Sequence, residues 1–415
     1  MIAPEPFFEP RGTPFSEFHR IRALTALGHE VDLVTYPFGE PVDIRGLRIF
    51  RSRRPPFVHR VKVGPSLAKI PLDLTLTWTA VRRALSGRYD AVHSHEEGGL
   101  IGAVLASCMR VPHLYDMHSS LPEQLTNFAF SGSRRLHRIF LAIERFMIRR
   151  SRVVIVICPA LEATVRAIEP AAKTVLIENA PGSADEAGSP ADVDRVRKSL
   201  LAADASHRSR LRLVVYTGTF EAYQGLDLLF AAMARVRRSV GEARLVLAGG
   251  KPDQIAAARQ QARDAGVDDV TIFAGERPAS EIPAYLGAAD VLVSPRSRGT
   301  NTPLKLYQYL RSGRPIVATR LLTHTQVLSD DTAFLTAPTP DEFAAGIVAA
   351  LGDRDRADTI GHNAKRLAET RYSYEAYLEK TRRACDLLWT AATAAACSSP
   401  AGVETGARVH PKDVA

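Results

Sequence analysis

The chain has 415 residues, 46% of them hydrophobic and 24% charged, a composition that excludes a disordered or collagen-like protein and leaves room for two or three domains. The four cysteines are far apart and form no CxxC pair, which argues against a disulfide framework or a zinc ribbon. No stretch approaches the roughly 18 apolar residues of a membrane-spanning helix, and the first residues lack a signal-peptide pattern. We therefore expect a cytoplasmic protein.

The net charge of +9 is concentrated in the first part of the chain, where Ile44–Leu72 contains eight cations and no acid. Five of these cations form the predicted acceptor or membrane patch: Arg51, Arg53, Arg54, Arg60 and Lys62. The patch fits an anionic glycan, or peripheral contact with an anionic membrane on the inner face of the plasma membrane. A solvated arginine-rich surface explains the same composition equally well, and no nucleic-acid-binding module accompanies it.

Apolar segments alternate with helical patterns through the first 180 residues. The predicted strands are Val31–Tyr36, Asp90–His95, His113–His118, Val153–Cys158 and Thr174–Asn179, and the predicted helices are Phe15–Leu27, Gly98–Met109 and Leu136–Arg149. Continuous apolar runs are typical of strands buried on both faces, and their alternation with helices predicts a parallel, doubly wound sheet. Only Met1–Ala3 precede Pro4 where a first strand belongs, so we expect that strand to be truncated.

Residues 181–210 are rich in Pro, Gly, Ser, Asp and Ala and predict a linker, with a short helix near Val193–Leu201. A second strand-and-helix series follows in residues 211–372, and residues 373–395 form the last helical pattern. Residues 396–415 have no periodic apolar pattern and predict a disordered tail. Two such α/β domains place the carboxyl ends of their strands at one cleft, where open parallel sheets bind ligands.

In the first half, two loops at strand ends contain candidate residues. Gly12 and Thr13 stand at the start of the first helix, where a glycine lets a ligand approach and free amides suit an anion. His118 ends its strand and is the candidate catalytic residue, because an imidazole there can donate to a substrate hydroxyl or stabilise developing charge. A structural histidine is the alternative, and His95 offers a similar case with less support.

In the second half, the loop Thr217–Gly225 (TGTFEAYQG) forms a turn whose amides can hold a phosphate. It is neither GxGxxG nor a P-loop, which argues against a dehydrogenase or a phosphoryl-transfer enzyme. The segment Ser294–Arg320 contains a polar loop, a helix predicted to start near Pro303, and three cations around the helix start, Arg296, Arg298 and Lys305. This combination indicates an anion site of diphosphate character, with an ordinary solvated helix start as the alternative.

The candidate donor-binding residues are Gly12, Thr13, Gly218, Thr219, Gln224, Arg298, Thr300, Asn301, Thr302, Lys305 and Gln308. No metal ligand set is predicted.

Eight segments, in this order, resemble the retaining glycosyltransferases of family 4, which have the GT-B fold: RGTP, ALGHEVDLVTY, YDAVHSHE, YDMHSS, YTGTFEAYQGLDLLFAA, LVLAGG, ADVLVSP and YQYLRSGRPIVAT. The resemblance implies two Rossmann-like, doubly wound domains that face each other across a cleft. Residues 1–180 would bind the acceptor, residues 211–372 would bind the nucleotide sugar, and the helix at 373–395 would cross back to the first domain.

By position, the resemblance makes His118 the histidine that contacts the donor sugar and Gly12 part of the loop that closes on the donor phosphates. The family's two glutamates fall on Thr300 and Gln308, and the Arg and Lys of its glycine loop fall on Thr219 and Gln224, so four expected charges are replaced. Family members need no metal or other cofactor, so cations and amides neutralise the leaving diphosphate.

We expect Arg298 and Lys305 to bind the diphosphate in place of the missing cations, and Gln308 to form a hydrogen bond with a ribose hydroxyl. The predicted activity is transfer of a hexose from a UDP- or GDP-type nucleotide sugar to a lipid-linked or polysaccharide acceptor in cell-envelope or exopolysaccharide synthesis. The alternative is a catalytically inactive GT-B protein that binds nucleotides or serves as a scaffold. A sugar-nucleotide epimerase of GT-B architecture would need a pair of acid/base carboxylates, and the sequence offers no convincing pair.

Overall fold

The computed structural model describes residues 1–9, 12–59, 61, 69–122, 133–179, 188–202 and 210–397. Their strands form two separate parallel sheets, one in residues 1–179, hereafter the N-terminal half, and one in residues 188–371, hereafter the C-terminal half. Helices cover both sheets, so the predicted fold class of two Rossmann-like units is confirmed.

The first sheet has seven strands in the order β3-β2-β1-β4-β5-β6-β7. They are β1 (Ile2–Ala3), β2 (Val31–Thr35), β3 (Leu47–Arg51), β4 (Val92–His95), β5 (His113–Met117), β6 (Val153–Val156) and β7 (Thr174–Leu176). The strand order reverses between β1 and β4, which opens a crevice at their carboxyl ends.

Two helix layers cover this sheet. The helices are α1 (Gly12–Ala26), α2 (Ile70–Ser86), α3 (Gly98–Met109), α4 (Arg134–Arg150) and α5 (Pro159–Ile168). Helix α3 packs against both α2 and α4, and α4 packs against α5, so these four form one layer. The last helix of the chain, α14 (Tyr374–Cys397), packs against α1, β6 and β7.

The second sheet has six strands in the order β10-β9-β8-β11-β12-β13. They are β8 (Arg212–Thr217), β9 (Ala243–Ala248), β10 (Thr271–Gly275), β11 (Val291–Ser294), β12 (Ile316–Thr319) and β13 (Phe334–Thr336). The helices of this half are α6 (Pro190–Leu200), α7 (Leu226–Ser239), α8 (Pro252–Asp264), α9 (Ile282–Ala288), α10 (Lys305–Ser312), α11 (Leu322–Thr325), α12 (Pro340–Gly352) and α13 (Arg354–Arg371). The order reverses between β8 and β11, so the second crevice lies beside the loops that follow these two strands.

Continuous apolar runs become the central strands, as their pattern predicts. All four residues of β6 and all four of β11 are buried, because helices cover both faces of each sheet. These runs and the inner faces of the helices supply the hydrophobic cores of both halves.

Two elements that the sequence did not predict lie in the basic stretch, namely β3 and the start of α2. Strand β3 is an edge strand whose residues stay partly exposed and include two arginines, so it lacks the apolar run of a central strand. Helix α2 contains three threonines, which are weak helix formers, so the packing of its buried row against the rest of the N-terminal half stabilises the helix. Strand β13 was also missed, and the helix expected near Pro303 begins at Lys305.

Arg20 joins three elements of the N-terminal half beneath the cleft. Its Nε lies 2.9 Å from Asp116 Oδ2 on β5, and both side chains are 1% exposed. Its Nη1 donates to Thr381 Oγ1 of α14 at 3.1 Å, and its guanidinium lies over the Tyr377 ring, 4.9 Å from the centroid. One buried cation therefore ties α1, the sheet and the last helix together.

The replacement Arg20→Leu should lower the free energy of unfolding by about 3–5 kcal/mol, because it leaves the Asp116 carboxylate buried without its partner. Urea denaturation measures the effect. Arg22→Leu on the same helix is the matched control, since Arg22 is exposed and should change stability by no more than about 0.5 kcal/mol. Equal losses for the two variants would contradict a special role for the buried pair.

Candidate functional site

The two halves meet where loops follow the carboxyl ends of their strands. Asn301 Nδ2, after β11, donates to the carbonyl oxygen of His118, after β5, at 2.9 Å. The backbone N–H of Ala160 donates to Gln326 Oε1 at 2.9 Å, which adds a second bond across the junction. The carboxyl edges of the two sheets therefore face one another, and side chains from both halves line one cleft.

In the C-terminal half, the glycine loop after β8 touches the loop after β11. Gly218 and Gly225 have φ values of +130° and +74°, conformations that favour glycine. A Cβ on Gly225 would lie 2.1 Å from the carbonyl oxygen of Pro295, so only glycine allows this approach. Tyr216 Oη donates to the carbonyl oxygen of Thr219 at 2.6 Å and fixes the turn, while the Thr219 side chain is exposed.

Lys305, the first residue of α10, reaches from its own loop to the glycine loop. Its Nζ lies 3.8 Å from the Tyr216 ring centroid and 3.3 Å from Gln224 Oε1, to which it donates. A Cβ built on Gly218 would lie 3.6 Å from the same ammonium. Burial, together with the nearby Arg296 guanidinium, holds the pKa of Lys305 well below its usual range. No carboxylate of the described residues pairs with it. A bound anion would supply the missing partner.

The other two cations of this segment, Arg296 and Arg298, have different contacts. Arg296 donates to the carbonyl oxygens of Arg298 and Asn301, at 2.8 and 3.0 Å, and lies over the Tyr223 ring. It therefore holds the shape of the loop. Arg298 is exposed at the loop tip. Lys305 and Arg296 therefore both contact the glycine loop, at Gln224 and at the Tyr223 ring, whereas the exposed Arg298 has no such contact among the hydrogen bonds and ring contacts of the described residues.

The remaining predicted donor residues divide between the loop and α10. Asn301 Nδ2 is engaged with His118, and the carbonyl oxygen of Thr300 accepts from Gln326 Nε2 at 2.6 Å. Thr302 is buried, and Gln308 is half-buried one turn along α10 from Lys305. Asn301 therefore bonds across the junction between the halves, Thr300 holds Gln326, which itself bonds across the junction to Ala160, and Lys305 and Gln308 share one helix.

On the opposite side of the cleft, His118 is buried and surrounded by acids. Its Nε2 lies 3.1 Å from Asp116 Oδ1, and its Nδ1 lies 3.3 Å from Asn179 Nδ2. Burial opposes protonation, but Asp116, Glu96 and Glu5 outweigh it and raise the pKa of His118 above its ordinary value. Both ring nitrogens face protein groups, so the imidazole is better placed to supply positive charge than to donate freely to a hydroxyl.

Glu96 stands directly after β4 in a left-handed conformation, with φ of +45°. Such a conformation is uncommon for a residue with a side chain and is often found at functional sites. Its carboxylate accepts from Ser119 Oγ at 2.9 and 3.2 Å. Burial raises the pKa of Glu96 to about 8, against the opposing effect of His118. A carboxyl group that is largely protonated at neutral pH can donate as well as accept a hydrogen bond.

A second pair of acids lies nearby. Glu17 on α1 is fully buried, and Glu5 follows β1. Burial raises the pKa of Glu17 to about 7 and raises that of Glu5 well above its usual range, and the negative charge of Glu17 raises the pKa of Glu5 further. Two adjacent buried carboxyls share a proton, because both cannot ionise at small separation.

His93, His95 and Asp116 lie close enough to resemble a metal site, since their ligand atoms are all within 4.8 Å of one another. The His93 and His95 rings are stacked with 4.8 Å between centroids and 21° between planes, so their in-plane lone pairs cannot both point at one ion. Arg20 already occupies the Asp116 oxygen that would complete the set. The cluster is therefore better suited to shaping the charge around His118 than to holding a cation.

The predicted acceptor patch is only partly a surface. Arg51 donates to the carbonyl oxygens of Phe7, Phe38 and Glu40, so its guanidinium holds the fold and is not a free cation. Arg53 and Arg54 are exposed, and Arg60 and Lys62 lie outside the described residues. Helix α1 begins at Gly12, three residues before the predicted start at Phe15, and Thr13 is half-buried in its first turn.

Sequence reasoning missed Glu5, Glu17, Glu96 and the buried ion pair of Arg20. Glu96 could have been found, because it directly follows a predicted strand, which is the rule that selected His118. Glu17 and Arg20 lie inside a helix with ordinary spacing, and only the fold shows that their side chains turn toward the strand ends.

Comparisons with known proteins agree on one family. The family model for the glycosyl transferase 4-like domain matches residues 19–180, and that for glycosyl transferases group 1 matches residues 212–353. A sulfoquinovosyl transferase of Arabidopsis thaliana is 25% identical, over 92% of this chain and 71% of its own length.

Two solved structures show the same fold. A sucrose-phosphate synthase from Thermosynechococcus elongatus has a TM-score of 0.75 at 20% identity, over 94% of this chain and 99% of its own. HepE from Anabaena, in complex with UDP-glucose, has a TM-score of 0.71 at 18% identity, over 93% and 98% of the two chains.

Among the described residues, no helix is long and apolar enough to cross a membrane.

The Glu96 carboxyl should make stability depend on pH. Its pKa is about 8 in the folded protein against an ordinary value of 4.5, so its contribution to the free energy of unfolding is complete below about pH 4.5 and is lost as the pH rises to about 8. Glu96→Gln removes this dependence, and the unfolding free energy of the natural chain should fall relative to the variant over that range. Urea denaturation at several pH values tests it, with the exposed Glu276→Gln as control. If the free energy of unfolding changed with pH in the same way for the natural chain and for Glu96→Gln, the raised pKa would not belong to Glu96.

Proposed function

Because this chain belongs to the glycosyltransferases of the family 4 type, we propose that it is a retaining hexosyltransferase. Its donor is a nucleotide-diphosphate sugar of the UDP or GDP type, and its acceptor is a lipid-linked or polysaccharide glycan of the cell envelope or exopolysaccharide. The bond between the anomeric carbon and the diphosphate breaks, a bond to an acceptor oxygen forms, and the diphosphate leaves with added negative charge. The residues of the cleft must stabilise that charge.

The observation that supports this proposal is the position of Lys305. Its ammonium lies against the glycine loop, beside Gln224 and Gly218, where the family resemblance expects the two missing cations. It is partly buried and has no carboxylate partner among the described residues, so its charged form is disfavoured until an anion binds beside it and stabilises the ammonium. We assign to Lys305 and the loop amides the role that the lost Arg and Lys would have had, without a metal or other cofactor.

The other side of the cleft suits the sugar and the acceptor. His118 carries positive charge more readily than an ordinary histidine, and Glu96 remains largely protonated near neutral pH. Glu96 and Ser119 offer a donor and acceptors to hydroxyl groups, as a hexose and a glycan acceptor require, while His118 supplies positive charge. The structurally similar HepE was solved in complex with UDP-glucose, which supports a UDP-type donor here.

A catalytically inactive nucleotide-binding or scaffold protein is the second candidate. Thr219, Gln224, Thr300 and Gln308 favour it, since each replaces a charged residue that the family resemblance expects. The two candidates differ in turnover and agree in nucleotide binding, so the experiments below measure both.

Lys305→Ala should weaken binding of a nucleoside diphosphate by about 10- to 150-fold, the loss of one hydrogen bond to a charged group. Titration calorimetry with UDP and GDP, and with the matching monophosphates, measures it. The monophosphates should lose much less, because the ammonium is assigned to the diphosphate. Lys365→Ala, an exposed lysine of the same half, is the control. An equal loss of affinity for the diphosphate and the monophosphate would show that Lys305 does not contact the second phosphate.

His118→Ala should reduce turnover while nucleoside-diphosphate affinity stays nearly unchanged, because the residue lies on the sugar side of the cleft. Donor hydrolysis and transfer are followed by release of the nucleoside diphosphate, and affinity by calorimetry. Asn179→Ala is a useful companion, since it removes the contact at His118 Nδ1 and leaves the imidazole in place. A natural chain that binds the nucleotide but neither hydrolyses nor transfers any sugar donor would establish the scaffold function instead.

A further inference from the structure

Helix α2 carries a row of large apolar side chains on its outer side. Ile70, Leu74, Trp78 and Leu85 are 54%, 67%, 63% and 83% exposed, and their spacing of four, four and seven residues places them on one face. The opposite row, Leu72, Leu76 and Ala80, is buried in the core of the N-terminal half. The helix is thus apolar on both sides, although only one side has a partner in this chain.

The three threonine hydroxyls of this helix form hydrogen bonds with its own backbone. Thr75 Oγ1 donates to the carbonyl oxygen of Leu72 at 2.9 Å, Thr77 to that of Asp73 at 2.7 Å, and Thr79 to that of Thr75 at 2.8 Å. A hydroxyl bonded to its own backbone loses little when water is removed. The face can therefore enter an apolar environment at small cost.

The row continues across the neighbouring helices. Helix α3 lies between α2 and α4 and exposes Leu100 and Val104, one turn apart, and it contains no charged residue. Helix α4 exposes Ile139 and Phe146 among a set of arginines. The exposed arginines of α4 are Arg134, Arg135, Arg138, Arg145, Arg149 and Arg150, of which Arg149 pairs with Glu169.

Acidic side chains are turned away from this surface. The three helices contain one aspartate and one glutamate, Asp73 and Glu144. Asp73 accepts a hydrogen bond from Tyr36 Oη, and Glu144 accepts from Leu121 N at 2.7 Å and from Ser120 Oγ at 3.2 Å. The outer face of the α2–α3–α4 layer, which we call the helix-layer face, therefore combines apolar side chains with cations and presents no acid.

The helix-layer face adjoins the cleft at one end. Lys69, just before α2, pairs with Glu97 after β4 at 3.3 Å, and Asp73 meets Tyr36 after β2. Both partners stand at the carboxyl ends of strands, so the apolar row begins at the rim of the cleft with Ile70. A molecule held on this face lies next to the acceptor side of the site.

We propose that the helix-layer face binds the surface of an anionic lipid bilayer and thereby delivers a lipid-linked acceptor to the cleft. The chemistry matches, because tryptophan and aliphatic side chains enter the boundary between headgroups and acyl chains while arginines meet anionic headgroups. A second copy of the chain fits less well, since two identical cationic faces repel one another. Delivery of an acceptor rests on the proposed function. The membrane contact does not, because it is argued from the side chains of the helix-layer face alone.

Co-sedimentation with vesicles tests the contact, using the full chain and vesicles of phosphatidylcholine with or without phosphatidylglycerol. The natural chain should bind vesicles that contain phosphatidylglycerol, and binding should fade with salt. The double variant Leu74→Ala, Trp78→Ala should lower the partition coefficient at least about tenfold, as expected when two anchoring side chains are lost. Leu322→Ala, an equally exposed leucine of the C-terminal half, should leave it unchanged.

Charge is tested separately. Arg135→Glu with Arg138→Glu should abolish most binding to anionic vesicles, whereas Arg354→Glu with Arg366→Glu, two exposed arginines of α13, should have little effect. The emission of Trp78 should shift to shorter wavelength on binding, and Trp78→Phe should remove the shift although Trp389 remains. Equal binding to neutral vesicles, or equal effects of the two arginine pairs, would overturn the proposal. A concentration-dependent dimer abolished by Leu74→Ala, Trp78→Ala would overturn it in favour of a second copy.

Failure of this proposal can be told apart from failure of the proposed function. Lys305→Ala should bind vesicles like the natural chain, and Leu74→Ala, Trp78→Ala should bind UDP or GDP and hydrolyse the sugar donor like the natural chain. A chain that binds vesicles but no nucleotide refutes the function alone. A chain that transfers sugar but ignores vesicles refutes the membrane surface alone.

Discussion

An arginine and an aspartate removed from water must stay together, and in this protein the pair that does so is Arg20 and Asp116. The buried imidazoles of His93, His95 and His118 all lie within 4 Å of the Asp116 carboxylate, whose charge raises the pKa of His118 against the opposing effect of burial. Arg20 compensates that charge and also reaches Thr381 of the last helix. The charge state of the cleft floor and the attachment of α14 thus depend on one ion pair.

The two walls of the cleft carry opposite chemistry. The C-terminal wall offers an unpaired ammonium and a turn whose glycines permit close approach, which suits a diphosphate. The N-terminal wall is rich in carboxyls that burial keeps protonated or paired, which suits hydroxyl groups. This division separates the leaving group from the sugar and acceptor, and it also discourages a diphosphate from binding in the reversed orientation.

Sequence reasoning predicted the fold well because buried parallel strands are continuous apolar runs, and those of β6, β8 and β11 stand out in the chain. It placed His118 at a strand end and Lys305 beside a helix start, and both positions agree with the structure. It failed at β3 and α2, whose half-exposed patterns resemble loops, and it could not see that Arg51 would turn inward to three carbonyl groups. Which charges compensate one another is decided by side chains distant in sequence, such as Arg20 and Asp116, and no local pattern records that.

The return of α14 to the N-terminal half gives the two halves a second covalent connection. The chain passes between the halves twice, once between residues 179 and 188 and again between α13 and α14, where Arg371 and Lys380 both lie beside Glu178. Two chain crossings leave the halves less freedom to separate than one crossing would, because both connections must be satisfied at once. The Arg371–Glu178 ion pair adds a noncovalent contact between the halves beside the second crossing, so the walls that carry Lys305 and His118 are held opposite each other by more than a single linker.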